Sequence, residues 1–152
     1  MAKCTAKLPE DLLKKLSRVG SNMDKIATEA LEAGGEVVLK KTKSNLQEAV
    51  GNSDKSTGQL VNALGLSPVL VDRNGNYNIK VGFDEYRRDG SANAMVANII
   101  EYGKHGQPAK PFLKNAKTAS KKECEDVMKR TIEEGIKKIW TFYLKLKLYL
   151  KH

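Results

Sequence analysis

Apolar residues recur along this chain with two different periods, and the places where the period changes mark its elements. Pro9, Glu10 and Asp11 lead into Leu12, Leu13, Leu16 and Val19, which predicts a short amphipathic helix with proline and acids in its first turn and Gly20 as a stop. A second, longer helix follows, with Ser21 or Asn22 as its cap. It carries Met23, Ile26, Ala30, Ala33 and Val37 at spacings of three and four. Gly34 and Gly35 sit inside it at about 1 kcal/mol each relative to alanine. Either the helix kinks there or another backbone packs close.

From Gly51 to Gly58 the chain is polar and turn-rich, and Thr57 is placed to cap a short helix ending at Gly65. The period then drops to two. Leu66 to Asp72 and Tyr77 to Phe83 predict two strands joined by Arg73-Asn74-Gly75-Asn76. Asn-Gly is expected to supply the positive φ angles of a type I′ turn. Tyr77, Ile79, Val81 and Phe83 fall on one face, and Asn78, Lys80 and Gly82 on the other. A two-stranded hairpin is marginal in water, so its apolar face needs a cover, for which the long helix is the candidate. Asp84 to Gly90 is a charged loop, and Ser91 reads as the N-cap of a helix with Ala92, Met95, Val96, Ile99 and Tyr102 on one side.

The stretch from Asn98 to Ala116, NIIEYGKHGQPAKPFLKNA, is where the chain changes direction. Gly103, Gly106, Pro108 and Pro111 fall within nine residues, which excludes a continuous helix and requires a shaped loop. Pro111 suits the first position of the helix that follows, where a missing N–H costs nothing. That helix carries Phe112, Leu113 and Ala116, and further along Cys124, Val127, Met128, Thr131, Ile132, Ile136, Ile139 and Trp140 at helical spacing. The last residues, LKLKLYLKH, alternate, and this predicts an extended strand with Leu144, Leu146, Leu148 and Leu150 on one face. Lys145, Lys147, Tyr149 and Lys151 take the other. Such a strand would be an edge guarded by lysines, a strand added to a neighbouring subunit, or a basic contact with DNA.

Composition narrows the functional classes. The chain has 152 residues, enough for one domain with a real core, with residues 1–20 as an N-terminal arm and 141–152 as a basic, apolar extension. Its formal net charge of +9 makes a polyanionic partner or environment plausible. No apolar run approaches the roughly 18 residues of a membrane span, and the N-terminus has acids where a signal peptide has an apolar core. The expectation is a protein made in the cytoplasm, with no membrane partner and with Cys4 and Cys124 as reduced thiols.

Catalytic chemistry finds little support. His105 is the sole internal histidine, and no cluster of Cys, His and carboxylates has zinc spacing. GKHGQPAK lacks the arrangement of a phosphate-binding loop, and the acid pairs Asp84/Glu85, Glu123/Glu125 and Glu133/Glu134 lie among lysines in loops or on helix faces. No enzyme, metal or cofactor is expected. Specific nucleic-acid motifs are absent as well, which leaves generic backbone attraction as a basic DNA binder's only route.

The wording EYG followed by QPAKPFLKNA resembles a phage protein family, the tail-completion or head-tail joining proteins of long-tailed bacteriophages. The matching positions are Glu101, Tyr102, Gly103, Pro108, Ala109, Pro111, Phe112, Leu113 and Ala116. AGGEVVLKKTKSNL, Ala33 to Leu46, is similar to the family's long first helix, and TGQLVNAL, Thr57 to Leu64, to its short second element. The resemblance runs from about Met23 to Ile136, favours a first helix continuing to about Val50, and does not extend to the C-terminal alternation.

The resemblance implies a structural virion protein of the tail or neck, closed as a ring of six subunits and adjoining head-completion or connector proteins and tail-tube or tail-terminator proteins. The expected fold is α+β, a small antiparallel sheet covered by the long first helix and the helix from Pro111 to about Trp140. The loop Gly103, Lys104, His105, Gly106, Gln107, Pro108 and Ala109 is the candidate contact with the next subunit or the adjoining ring. Tyr102, Pro111, Phe112 and Leu113 are its candidate anchors, and Lys145, Lys147 and Lys151 a candidate DNA-facing or partner-strand tail. The alternative reading is a basic, non-enzymatic nucleic-acid-binding protein.

Overall fold

The computed structural model describes residues 22–51, 58–83 and 90–149. The helix expected over Pro9–Val19, the thiol of Cys4 and the side chain of Lys151 lie outside the described residues; the N-cap position of the long helix is Asn22, one of the two expected, and that of the short helix is Gly58 in place of Thr57. The elements in chain order are α1 (Met23–Val50), α2 (Gln59–Asn62), β1 (Leu64–Leu66), β2 (Leu70–Val71), β3 (Tyr77–Asn78), β4 (Val81–Phe83), α3 (Asn93–Tyr102) and α4 (Phe112–Tyr149). The fold is α+β.

Helix α1 is the middle layer. It runs 28 residues without a break, about 42 Å at 1.5 Å per residue, and its two central glycines face opposite neighbours. A Cβ on Gly34 would stand 2.6 Å from Met128 Cγ, and one on Gly35 would stand 3.1 Å from Leu66 Cδ2. The helix continues through both glycines without interruption. They let side chains of α4 close in on one side and those of the hairpin on the other.

Helix α4 packs antiparallel to α1. At one end the side-chain amide of Asn45 donates to the carbonyl of Phe112, 3.3 Å; towards the other, Gly135 lies against Ile26. Leu31, Leu46, Leu64 and Ile132 are the largest wholly enclosed apolar side chains, so the core is a seam between the long helices, closed below by the sheet. Thr42 and Ser120 are buried beside it, and each hydroxyl donates to the carbonyl four residues back, which satisfies the polar group inside the helix.

The hairpin forms as two short antiparallel ladders. Leu64, Gly65 and Leu66 pair with Phe83, Gly82 and Val81, and Leu70 and Val71 pair with Asn78 and Tyr77. Between them Pro68 has no N–H to offer. Ser67 bridges the gap, donating its N–H to the Lys80 carbonyl while its hydroxyl oxygen accepts the Lys80 N–H. Ile79 and Val81 are buried against α1, as the alternation requires.

The hairpin tip is not a type I′ turn, because no residue other than glycine has positive φ. Asp72 accepts the N–H of Gly75, which has φ +79, and pairs its own N–H with the Asn76 carbonyl; this is a type I turn followed by a left-handed glycine. The Asp72 carboxylate organises it by accepting the N–H groups of Asn74 and Asn76.

Helix α3 does not bury the predicted face. Its buried positions are Asn93, Ala97 and Glu101, while Met95 and Tyr102 are exposed at 55% and 72%. Its N-cap position is Ala92, not Ser91. Two polar residues occupy the buried stripe, and a search for apolar periodicity passes over them.

The alternating C-terminal segment is not a strand. Helix α4 continues through Trp140 to Tyr149, 38 residues in all, so the partner-strand role for Lys145 and Lys147 is withdrawn. A helix already formed over the preceding turns gains one hydrogen bond for each residue it adds. Seven residues of alternation cannot outweigh that continuation.

Candidate functional site

The loop between α3 and α4 is built by its two ends. Helix α3 stops at Gly103, whose N–H donates to the Ile99 carbonyl at 2.8 Å and whose φ of +77 and ψ of 175 lie in a region almost closed to other residues. A Cβ at Gly103 would also meet the Ala109 nitrogen and the Gln107 oxygen at 2.8 Å. The returning strand of the loop crosses directly over this position, and only glycine leaves room.

The loop is a tight turn. Lys104 and Gln107 exchange both backbone hydrogen bonds, at 3.0 and 2.9 Å, with His105 and Gly106 between them and Gly106 at φ +77. Positive φ at the second central residue alone is the type II pattern. Lys110 then ties the chain back twice: its N–H donates to the Ile100 carbonyl at 2.7 Å, and its ammonium donates to the Ala49 carbonyl at the end of α1. A cation at a helix C-terminus is favoured there by the helix dipole.

The other end is held by a carboxylate. Glu101 is 4% exposed, and its two oxygens accept the N–H groups of Leu113 and Lys114 at 2.8 and 3.0 Å. These are among the N–H groups that the first turn of α4 leaves without partners, and an acidic group is stabilised at that end of a helix. Glu101 therefore links the EYG turn to the PF step that starts α4. Sequence reasoning placed it in the motif but not among the anchors. The available signal was an acid eleven residues before a helix start, inside an otherwise apolar segment.

The expected anchors divide. Phe112 is 2% exposed in the main core, and Pro111 and Leu113 are half-buried. Tyr102 is largely exposed and anchors nothing by burial; its neighbour Glu101 takes that place. Lys104, His105, Gly106, Gln107, Pro108 and Ala109 are all exposed. Beside the loop, Lys41, Asn45, Glu48, Lys110 and Asn115 line an open groove of about 440 Å³ floored by Phe112.

His105 and Cys124 stand in different surroundings. His105 is exposed at the turn tip, and Cys124 is enclosed between α1 and α4 near Gly34. Among the described residues no group of three His, Cys, Asp or Glu is placed to hold a metal, and no helix is long and apolar enough to cross a membrane. Lys145 is exposed on the last turns of α4. The geometry offers a surface turn held at both ends by hydrogen bonds.

Residues 10–103, more than half of the chain, match the family described as "Bacteriophage HK97-gp10, putative tail-component". The match takes in Glu101, Tyr102 and Gly103 and ends before Pro108, so it covers the start of the loop and not the PAKPF step. No curated protein and no solved structure shows significant similarity to the chain.

Proposed function

This chain belongs to the HK97-gp10-like family of bacteriophage tail components, and from that premise we propose that it completes the tail or joins it to the head at the neck, as a closed ring of six subunits. As a tail component it is a structural protein of the virion. Its work on this reading is recognition rather than turnover.

The observation that carries the finer reading is the Gly103–Ala109 turn. It is exposed from Lys104 to Ala109, yet both of its ends are fixed by hydrogen bonds to helix termini. Binding elements are commonly loops held on a rigid scaffold, and a preformed turn loses little conformational freedom on docking. The turn contacts the next subunit or an adjoining head-completion, connector, tail-tube or tail-terminator ring, and packaged DNA passes through the lumen. A ring needs one interface repeated head to tail, with a rotation that closes.

The test is assembly onto tails. Substituting Lys104, His105 and Gln107 together by alanine leaves the core and the glycines untouched, so folding is expected to be unchanged while incorporation into tails falls. Full incorporation of that variant would remove the turn from the contact surface.

A further inference from the structure

Helix α4 outruns α1. Ile26, near the start of α1, already lies against Gly135, and α4 continues to Tyr149, about 20 Å further at 1.5 Å per residue. On this projecting end Trp140, Phe142, Leu144 and Leu148 are exposed at 57–68%. Trp140, Leu144 and Leu148 share one face through their spacing of four. From Ile139 to Tyr149 there are two lysines and no acidic residue. Four large apolar side chains so close together on a surface mark an interaction site.

The same chain carries a surface of opposite character. Glu29, Glu32 and Glu36 rim an open groove of about 500 Å³ between α1 and the hairpin, whose floor is Ala33, Leu66 and Ile79. All three glutamates are exposed, and from Ile26 to Leu39 the helix has no Lys or Arg. The groove is apolar below and acidic at its edge, where the helix end is apolar and basic. Within one molecule the two lie apart, because α4 continues past the Ile26–Gly135 contact in the direction opposite to that in which α1 runs from Ile26 to Glu29–Glu36.

We propose that the projecting end of α4 docks in the Glu29–Glu36 groove of a second copy of this chain, with Trp140, Leu144 and Leu148 over Leu66 and Ile79 and Lys145 against the glutamates. Two like basic ends would repel each other, so charge favours the end-to-groove arrangement over pairing of two helix ends. Such a contact is heterologous. Repeated, it closes into a ring or runs on as a filament. The inference deepens the ring reading of this chain by naming one interface that builds it.

The test is a charge exchange on the full chain. Lys145→Glu with Lys147→Glu reverses the helix end, and Glu32→Lys with Glu36→Lys reverses the groove. Each variant alone is expected to stay monomeric by light scattering where the wild type assembles. Mixed one to one they are expected to regain the wild-type mass, because each reversed end then finds a reversed groove and each native end a native one. Trp140, the single tryptophan, gives a second readout: its fluorescence is quenched by iodide in the monomers and shielded in the mixture. Variants that assemble unchanged, or a mixture that stays monomeric, overturn the interface. A wild type that is monomeric with quenchable Trp140 overturns it as well. Wild-type rings alongside unchanged variants would leave the ring reading standing and remove only this contact; failure of the wild type to join tails would remove that reading too.

Discussion

Glu101 and Leu113 are joined by a hydrogen bond of 2.8 Å from the Leu113 N–H to the Glu101 carboxylate, which ties the end of one helix to the beginning of the next across the exposed turn. The turn keeps its shape because both of its ends are held in this way. Replacing Glu101 with alanine leaves the N–H groups of Leu113 and Lys114 without their acceptor in a part-buried site. The expected loss is about 1–3 kcal/mol, or roughly 2–4 °C in melting temperature per kcal/mol for a chain of this size. Glu101→Gln keeps one acceptor oxygen and is expected to fall between. Thermal melts of the three proteins decide it, and an unchanged Glu101→Ala midpoint would contradict the assigned role.

Gly103 and Gly106 have the same φ of +77 but different surroundings. Nothing lies within 4 Å of a Cβ at Gly106, whereas one at Gly103 meets backbone at 2.8 Å. Gly106→Ala is expected to cost about 1 kcal/mol for the left-handed backbone alone. Gly103→Ala is expected to cost about 3 kcal/mol or more, because its φ and ψ are nearly restricted to glycine and the neighbouring backbone must also move. Urea midpoints of the two variants test the difference, and equal costs would count against the crossing described here.

Phe112 is the first residue of α4 and lies within the main core. Phe112→Ala is expected to cost about 3–5 kcal/mol from lost apolar burial and the cavity left behind. An unchanged melting curve would show that the loop is not mounted on the core at this point.

The Tyr77 hydroxyl donates to the Asp24 carboxylate at the start of α1. That hydrogen bond, with some burial and the carboxylate's charge, raises the tyrosine above its ordinary value of about 10. The folded value lies above the unfolded one, so this contribution to stability is whole below about pH 10 and is lost as pH rises through the folded value. The wild type is therefore expected to lose stability more steeply than Tyr77→Phe as pH rises above about 10. Parallel profiles of melting temperature against pH would contradict the contact.

Much of the architecture was legible because it rests on repeating local patterns. The three-and-four spacing from Met23 placed α1, and the alternation from Tyr77 to Phe83 placed the stretch that splits into β3 and β4 and buries Ile79 and Val81. What escaped was set by tertiary context. Nothing in the spacing of α3 indicates that Asn93 and Glu101 take buried places while Met95 and Tyr102 do not; for Glu101 the place is set by the N–H groups at the start of α4. The Leu-Lys alternation at the C-terminus is a strand pattern read alone and a helix once the preceding turns are in place. For the loop, the glycines and prolines gave its position; the carboxylate that fixes it was hidden by its charge.

The central claim is that this tail component is a ring that joins its neighbours through shaped surfaces. It is tested most directly by the mass and appearance of the purified protein in the presence and absence of phage tails, at low and high salt. The account predicts rings of six 16.8 kDa chains, free or formed on tails, that need no DNA and persist at high salt. A monomer that never joins tails and binds DNA in a salt-dependent manner would contradict it.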